Sequence, residues 1–307
     1  MIWKKRGVIW RPEGNQWWAR SHATCPTPLA LPDGRLRLYM QCRDEKGIGR
    51  VGFVDVSGSD PSRILGVSDE PCLDVGLPGT FDENGVLPTS VIQLDDGRLL
   101  MYYVGFELGK SIRYRLLTGL AISEDGGNHF SRAHHTPILE RSDAELYFRC
   151  ASFVLRDAGR YRMWYAGGSE WIPVNGKLMP CYDLRHIESP NGFDWPASGK
   201  IVLPVVNDDE HGFGRPWVRA HQSGFQMFFS VRKLSLGQYR LAYAESSDGI
   251  HWVRRDELLG LDVSPGEWDG EAIMYSAVTQ TAGHTWLFYN GNNFGEHGMG
   301  FAELESA

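Results

Sequence analysis

A hairpin pattern recurs along the chain at almost equal intervals and constrains the fold more than any other feature. Each copy reads as an apolar strand, a tight turn that contains glycine, and a strand rich in Tyr, Phe, Trp and Met. Such turns between apolar runs are typical of β-hairpins. The turn glycines are separated by 63, 62, 65 and 59 residues, and they are Gly34, Gly97, Gly159, Gly224 and Gly283. Five units of about 60 residues therefore account for the whole chain.

A second pattern, Ser-x-Asp/Asn-Gly followed by an aromatic residue, occurs in units two, three and four. It begins at Ser123, Ser189 and Ser246 and reads "SEDGGNHF", "SPNGFDW" and "SSDGIHW". The Asp-Gly or Asn-Gly pair supplies the positive φ values that a tight turn requires. We interpret each copy as the outer hairpin of a four-stranded unit, and we expect its aromatic residue to fill the gap between neighbouring sheets.

Repeated four-stranded sheets around an axis form a β-propeller. The sequence thus predicts an all-β fold: one five-bladed β-propeller domain over residues 1–307, with four-stranded antiparallel blades. The fifth unit stops early, and the N-terminal strand within residues 1–12 has no partner before it. We expect that strand to complete the last blade and close the ring, which removes exposed strand edges. The stretch "GGSEWIPVNGKLMPCYD" (167–183) is predicted to be a long loop.

Composition excludes several classes of protein. The net charge is -7 with no long run of one sign, which argues against nucleic acid as a partner. No apolar run is long enough to span a membrane, and the N-terminus lacks the apolar segment of a signal peptide, so we expect a cytoplasmic protein with no membrane partner. The five cysteines are odd in number and form no CxxC pair, which predicts buried free thiols.

On these repeats and motifs, the chain resembles the five-bladed propeller glycoside hydrolases of families 32, 43, 62, 68 and 130. The resemblance implies an enzyme that acts on a glycosidic bond by hydrolysis, phosphorolysis or transfer. It also implies a general acid at the third or fourth blade, which here is Glu145 or Glu210. Families 32 and 43 carry an aspartate in the first blade, whereas the first unit here reads "NQWWARSHATCPTPLA" with none. A sugar-binding propeller without catalysis is therefore an alternative.

Acidic residues recur near the predicted start of the innermost strand of each unit. Counting fourteen residues back from each turn glycine gives Arg20, Glu83, Glu145, Glu210 and Asp269. Glycoside hydrolysis usually needs two carboxyl groups, one as acid and one as base or nucleophile. The predicted catalytic residues are Asp82, Glu83, Glu145, Asp269 and Glu271. The alternative for each acid is that it pairs with an arginine of the channel or lies in a solvated loop.

Basic and aromatic residues on the same predicted strands suggest the substrate. Arginine suits bidentate recognition of carboxylate or phosphate, which predicts an anionic or phosphorylated sugar or oligosaccharide as the partner. The predicted substrate-binding residues are His22, Arg149, Arg185, His186, Arg215, Trp217, Arg219 and His221. The alternative is that each arginine neutralises a carboxylate. No cofactor is predicted; a structural metal ion in the central channel and a His-dependent metal enzyme remain open alternatives.

Overall fold

The computed structural model describes residues 1–174 and 176–306, and almost all of its regular structure is β-strand. The first strand is β1 (Ile2–Trp10), which is followed by β2 (Ser21–Ala30), β3 (Arg35–Arg43), β4 (Gly49–Ser57) and β5 (Ile64–Val67). The next eight strands are β6 (Val86–Gln93), β7 (Leu99–Leu108), β8 (Tyr114–Ser123), β9 (Ser131–Arg132), β10 (Phe148–Asp157), β11 (Arg160–Val174), β12 (Lys177–Ser189) and β13 (Lys200–Leu203). The last strands are β14 (Glu210–His221), β15 (Gly224–Lys233), β16 (Gln238–Ser246), β17 (Val253–Arg254), β18 (Met274–Thr281), β19 (His284–Asn290) and β20 (Met299–Ser306).

Consecutive strands pair in antiparallel sets that match the sequence repeat. The first set is β2–β5, the second β6–β9, the third β10–β13 and the fourth β14–β17. Short parallel pairings of β8 with β10 and of β12 with β14 join the second, third and fourth sets into one curled sheet. A short 3-10 helix (Asp256–Leu258) and one helical turn, α1 (Asn292–Gly295), are the helical segments of the described residues.

The N-terminal strand joins the end of the chain. Strand β1 pairs antiparallel with β20, so the fifth set has the order β1-β20-β19-β18. The Nζ of Lys5 lies 2.6 Å from a carboxylate oxygen of Asp269, and Trp3 packs edge-on against Phe228 of the fourth set. The N-terminal strand thus pairs with the last strand of the chain, and its completion of a blade that closes the ring stays a prediction.

The first strand of each set carries a bulge at an equivalent position. The pairing register shifts after Thr24, Pro88, Cys150, Gly214 and Met274. Four residues at these shifts have positive φ although none is glycine, and they are Cys25, Ala151, Arg215 and Tyr275. Bulges of this kind re-aim side chains, and strained backbone is concentrated at functional sites. We call the first strands of the five sets the inner strands. The five bulges indicate that a functional site lies on these inner strands.

The Ser-x-Asp/Asn-Gly motif forms the predicted outer turn. In the fourth set the backbone N–H of Gly249 donates to the Ser246 hydroxyl, which donates in turn to Asp248. A glycine carbonyl of each turn, that of the motif glycine or of the glycine after it, also accepts a hydrogen bond from the preceding set. The donors are the Tyr39 hydroxyl to Gly127, the Tyr102 hydroxyl to Gly192 and the Trp164 indole to Gly249. The motif thus ties each of these sets to the one before it.

The aromatic residue that ends the motif fills the gap between sets, as the sequence predicts. The ring of Phe130 lies 5.6 Å from that of Tyr39, and Trp195 lies 6.2 Å from Tyr102. The third such pair joins Trp252 to Trp164 at 6.3 Å. Edge-to-face aromatic contacts at these distances stabilise beyond the area that they bury.

The segment predicted as a long loop is instead an extended hairpin. Strands β11 and β12 pair as far as Val174 with Lys177. The prediction of a loop over 167–183 is therefore wrong, because Trp171 packs on Phe148 and Tyr114 and supports a strand there. The stretch contains Asn175, which lies outside the described residues.

All five cysteines are free thiols. Four are buried and Cys181 is half-buried, which confirms the prediction from their number and spacing. Among the described residues, no helix is long and apolar enough to cross a membrane.

Candidate functional site

A cavity of about 220 Å³ opens where the five strand sets meet. This volume is at the small end of the range for ligand pockets. Its walls come from the beginnings of the first and third strands and the later parts of the second strands of the sets. The polar lining residues are Thr24, Gln41, Arg43, Arg113, Tyr114, Cys150, Tyr182, Arg215, Arg232, Tyr239 and Tyr275. Among the described residues that line it, there is neither an aspartate nor a glutamate.

Three arginines of the cavity have no carboxylate partner in the described structure. Arg43 ends β3, Arg113 precedes β8, and Arg232 lies near the end of β15. Many other arginines of the chain form ion pairs with Asp or Glu, and none of those lines the cavity. The Arg232 guanidinium lies 5.5 Å from the centre of the Tyr239 ring. The cavity therefore carries positive charge that no carboxylate of the described structure neutralises by an ion pair, although the net charge of the chain is negative.

Arg215 is the fourth arginine and is almost fully buried. Its Nη1 donates to the carbonyls of Pro26 and Tyr275 at 2.8 and 2.7 Å, and its Nη2 donates to the Thr27 hydroxyl at 2.9 Å. The Nε has no hydrogen-bond partner. Burial lowers the pKa of Arg215, which has backbone and hydroxyl acceptors but no carboxylate. A buried guanidinium without a counter-charge is a favourable place for an anion.

Tyrosine hydroxyls form the other polar wall. The hydroxyls of Tyr182 and Tyr239 are 2.8 Å apart and hydrogen-bonded to each other. Burial raises the pKa of Tyr114 to about 12 and holds those of Tyr182 and Tyr275 well above their usual value. These three tyrosines are therefore neutral at physiological pH and can donate hydrogen bonds to a ligand.

The turn α1 places an aromatic ring against this wall. Phe294 has a left-handed backbone, with φ of 59°, and its carbonyl accepts a hydrogen bond from the Thr24 hydroxyl. Its ring lies 6.1 Å from that of Tyr239 and 6.5 Å from that of Tyr275. A strained backbone at an aromatic residue that lines a cavity is typical of a functional position.

Three of the predicted catalytic acids are buried outside the cavity and bound to cations. Asp82 accepts from the Nε of Arg132 at 2.7 Å and from the hydroxyl of Tyr103 at 2.9 Å. Asp269 has the same kind of contacts with Lys5 and Tyr289. We call this arrangement the acid clamp: a buried acid before or at the first strand of a set, with a cation and usually a tyrosine.

Glu145 has the most complete clamp. It accepts from the Nε of Arg149 at 2.6 Å, the hydroxyl of Tyr165 at 2.9 Å and the backbone of Gly199 at 2.8 Å, and the Nη1 of Arg185 lies 3.1 Å away. Its carboxylate therefore has partners on every side. The alternative of pairing with an arginine thus describes Asp82 and Glu145, whereas Asp269 pairs with a lysine. A catalytic role for these three acids stays a prediction.

The remaining predicted acids also lie outside the cavity lining. Glu210 is held by both Nη atoms of Arg254, at 2.7 and 3.1 Å. Glu83 is half-buried and accepts from the backbone N–H of Gly79, and Glu271 is exposed. The structure brings none of these carboxylates together with another in the cavity.

Of the eight predicted substrate-binding residues, Arg215 alone lines the cavity. Arg149 and Arg185 bind Glu145, as described above. His186 is buried against Trp164, with its Nε2 3.4 Å from the Nε of Arg162. Trp217 is buried against Phe153.

The other predicted binding residues lie at the two ends of the inner strands. Arg219 donates to Gln226, and His221 lies exposed beside the turn of Ser223. His22 is half-buried, and burial and the charge of Arg43 lower its pKa to about 4. The exposed carboxylate of Glu296 acts on His22 in the opposite direction. No group of three or more His, Cys, Asp or Glu side chains within the described ranges is placed to hold a metal ion.

The residues that sequence reasoning missed are Arg43, Arg113, Arg232 and the four cavity tyrosines. The count of fourteen residues before the turn glycine reaches the acid clamps, whereas the bulge lies further along the strand. Arg215, for example, precedes Gly224 by nine residues. A second signal was available, since Tyr182 and Tyr239 each stand seven residues before the serine of the repeated turn motif.

Solved structures with the same fold are glycoside hydrolases. A glycosyl hydrolase from Bacteroides ovatus has a TM-score of 0.74 and 14% identity, covering 99% of this chain and 93% of its own. A thermostable family-43 glycoside hydrolase has a TM-score of 0.68 and 14% identity, covering 94% and 91%. A structure from the family 130 mannoside phosphorylases, described as containing hydrolases that target β-1,2 mannosidic linkages in Candida mannan, has a TM-score of 0.71 and 13% identity, covering 98% and 93%. The fold is therefore that of the glycoside hydrolase propellers.

No family model matches the chain. Two proteins of Mycobacterium tuberculosis match along its whole length: Rv1502 of strain H37Rv and MT1551 of strain CDC 1551, both described as uncharacterized. Each is 31% identical over 306 residues, which is 100% of this chain and 100% of the relative. This chain therefore belongs to the same family as Rv1502 of Mycobacterium tuberculosis.

Proposed function

We propose that this protein is carbohydrate-active and binds an anionic sugar in the arginine- and tyrosine-lined cavity, where it acts on a glycosidic bond. We also propose that the five strand sets are the five four-stranded blades of a single propeller domain. The observation that carries the function is the cluster of four guanidinium groups without carboxylate partners in a glycoside hydrolase fold. Fold alone does not establish a function, so the proposed function depends on the residues that line the cavity.

The charge of the cavity favours an anion over a neutral sugar. Arg43, Arg113 and Arg232 have free guanidinium donors, which suit carboxylate or phosphate oxygens. Glu296 is the carboxylate whose charge acts on Arg43, but it is exposed to solvent and hydrogen-bonded to Asn293. One exposed carboxylate is screened by solvent and leaves the cavity with a surplus of positive charge.

The tyrosines and apolar side chains suit the ring of a sugar. Hydroxyl donors can bind sugar hydroxyls, and the ring of Phe294 offers an apolar surface beside Tyr239 and Tyr275. Aromatic and apolar side chains beside convergent polar groups are usual in a small-molecule site.

A second candidate function is binding without catalysis. It is favoured by one observation: the predicted catalytic acids are outside the cavity lining, and three of them are buried in clamps. A sugar-binding propeller needs the arginines and tyrosines but no pair of carboxyl groups.

Calorimetric titration of the purified protein tests the proposal. The ligands are galacturonate, glucuronate and glucose 1-phosphate, with galactose and glucose as matched neutral sugars. We expect at least one anionic sugar to bind, and its affinity to fall as salt is added. Arg232→Gln should weaken that binding about tenfold or more, since it removes a charged hydrogen-bond donor.

Arg63→Gln is the matched control, because Arg63 is exposed and lies outside the cavity lining. Its affinity for the anionic sugar should equal that of the unmodified protein. Equal binding of neutral and anionic sugars, or no binding of any of the five, would overturn the proposal.

A further inference from the structure

The described cavity lining lacks the carboxyl pair on which glycoside hydrolysis usually depends. This composition argues against the usual hydrolytic route for cleavage of a glycosidic bond. The usual hydrolytic route uses two carboxyl groups about 5 to 9.5 Å apart on either side of the bond. None of the described lining residues is acidic, whereas arginines and tyrosines are abundant. A glycosidic bond next to a uronic acid can be cleaved in another way, by elimination, which needs a neutralised carboxylate and a proton carrier.

We propose that the cavity cleaves uronic-acid-containing saccharides by β-elimination, with Tyr239 as the base and Tyr182 as the acid. This inference rests on the proposed binding of an anionic sugar and names that sugar as a uronate. The geometry that carries it is the pair of tyrosine hydroxyls 2.8 Å apart beside the unpaired guanidinium of Arg232.

The arginines prepare the substrate. A uronate holds its C5 hydrogen next to the carboxylate, and the negative charge of that carboxylate opposes loss of the proton. Guanidinium groups bound to the carboxylate neutralise this charge and stabilise the enolate-like transition state that forms as the proton leaves. Because the cavity has four guanidinium groups, one bound carboxylate leaves positive charge that stabilises the negative charge of the transition state.

The reaction balances without any further reactant. The Tyr239 oxygen, as a phenolate, takes the proton from C5, and the electron pair of that C–H bond forms a double bond between C4 and C5. The bond between C4 and the glycosidic oxygen breaks, and the electron pair stays on that oxygen. The Tyr182 hydroxyl gives its proton to the departing oxygen. The products are an unsaturated uronate and a sugar with a free hydroxyl.

The hydrogen bond between the two tyrosines closes the proton cycle. After cleavage Tyr239 is protonated and Tyr182 is a phenolate, so a transfer across the 2.8 Å contact restores the starting state. Burial keeps the pKa of Tyr182 high, which suits it to hold a proton until the leaving oxygen needs it. Tyr182 packs on Phe148, and Tyr239 packs on Tyr275 and Phe294, so both rings are fixed in place.

The test uses the full chain with trigalacturonate and with an oligosaccharide that contains glucuronate. Product formation is followed by the ultraviolet absorption of the conjugated double bond and by mass spectrometry in water labelled with heavy oxygen. Elimination produces an absorbing fragment and places no solvent oxygen in either product. Hydrolysis would place one labelled oxygen in a product and would overturn the inference.

Two variants separate the roles of the tyrosines. Tyr239→Phe and Tyr182→Phe should each lower turnover at least about 100-fold, the lower range for loss of a general acid or base. Both should still bind galacturonate, because the arginines proposed to hold its carboxylate are unchanged. In deuterated water Tyr182→Phe should still exchange the C5 hydrogen, whereas Tyr239→Phe should not. Tyr161→Phe is the control, because Tyr161 lies outside the cavity lining, and its turnover should be unchanged.

The outcomes also separate this inference from the proposed function. Binding of uronates without an unsaturated product overturns the elimination and leaves the anionic-sugar site standing. Binding of glucose 1-phosphate but not of uronates has the same meaning. Failure of every anionic sugar to bind overturns both.

Discussion

At the scale of single residues, His186 is a buried imidazole whose neutral form is favoured. Burial, and then the charge of Arg162, lower its pKa from 6.5 to about 4, with Glu188 acting in the opposite direction. The Nε of Arg162 donates to its Nε2, and that contact requires an unprotonated nitrogen. Protonation would therefore place two positive charges together in the interior.

This shift makes stability depend on pH in a defined window. Between pH 6.5 and 4 the unfolded chain binds a proton at this histidine that the folded chain does not, so stability is lost as the pH falls. His186→Gln should remove up to about 3 kcal/mol of that loss at the acidic end. The measurement is the free energy of unfolding in urea at several pH values from 7 to 4.5.

His251→Gln is the control for this prediction. His251 is exposed, so its replacement leaves His186 buried and should leave the pH slope that His186 causes in place. His22, whose pKa is also lowered to about 4, contributes a similar slope that His186→Gln leaves in place. An unchanged slope in His186→Gln would contradict the prediction.

At the scale of the strand and its clamp, Glu145 joins elements that are distant in sequence. It receives hydrogen bonds from Arg149 in β10, Tyr165 in β11 and the backbone before β13, and Arg185 in β12 completes the set. Removing one partner of a buried ion pair leaves the other charge uncompensated. Glu145→Gln should therefore lower the free energy of unfolding by about 3 kcal/mol or more.

The same variant tests the catalytic role that the sequence predicts for Glu145. A structural acid affects folding, which urea unfolding measures, whereas a catalytic acid affects turnover with little loss of stability. Asp95→Asn is the control, since the Asp95–Arg156 pair is exposed and its loss should change stability little. A stable but inactive Glu145→Gln would show that the catalytic prediction is right and the structural interpretation wrong.

The hairpin repeat and the turn motif predict much of the architecture because they act locally. The hydrogen bond between the Gly249 backbone and the Ser246 hydroxyl forms within the turn itself. The following Trp252 packs on Trp164 of the neighbouring set. The cavity depends on where each inner strand bulges, as at Arg215, and on the side to which the chain then turns. A shift of one residue moves a side chain to the opposite face of its strand. The count of fourteen residues before each turn glycine therefore predicted the acids of the clamps and not the residues that line the cavity.

At the scale of the whole molecule, the structure depends on the N-terminal strand. Strand β1 covers the edge of β20, Lys5 neutralises the buried Asp269, and Trp3 packs into the main core. Exposed strand edges pair with other chains, and an unpaired buried carboxylate destabilises the fold. The pairing therefore protects the molecule both from aggregation and from loss of its last strand set.

Deleting residues 1–10 should accordingly lower the thermal midpoint and cause self-association, because β20 becomes an open edge and Asp269 loses its cation. The measurements are thermal unfolding and light scattering during size-exclusion chromatography. A synthetic peptide of residues 1–12 added in trans should restore the midpoint, whereas the same peptide with Lys5→Met should restore it less, since it cannot neutralise Asp269. A monomeric truncated chain with an unchanged midpoint would show that the curled sheet is stable without β1, and the stability of the cavity would then have to come from the inner strands alone.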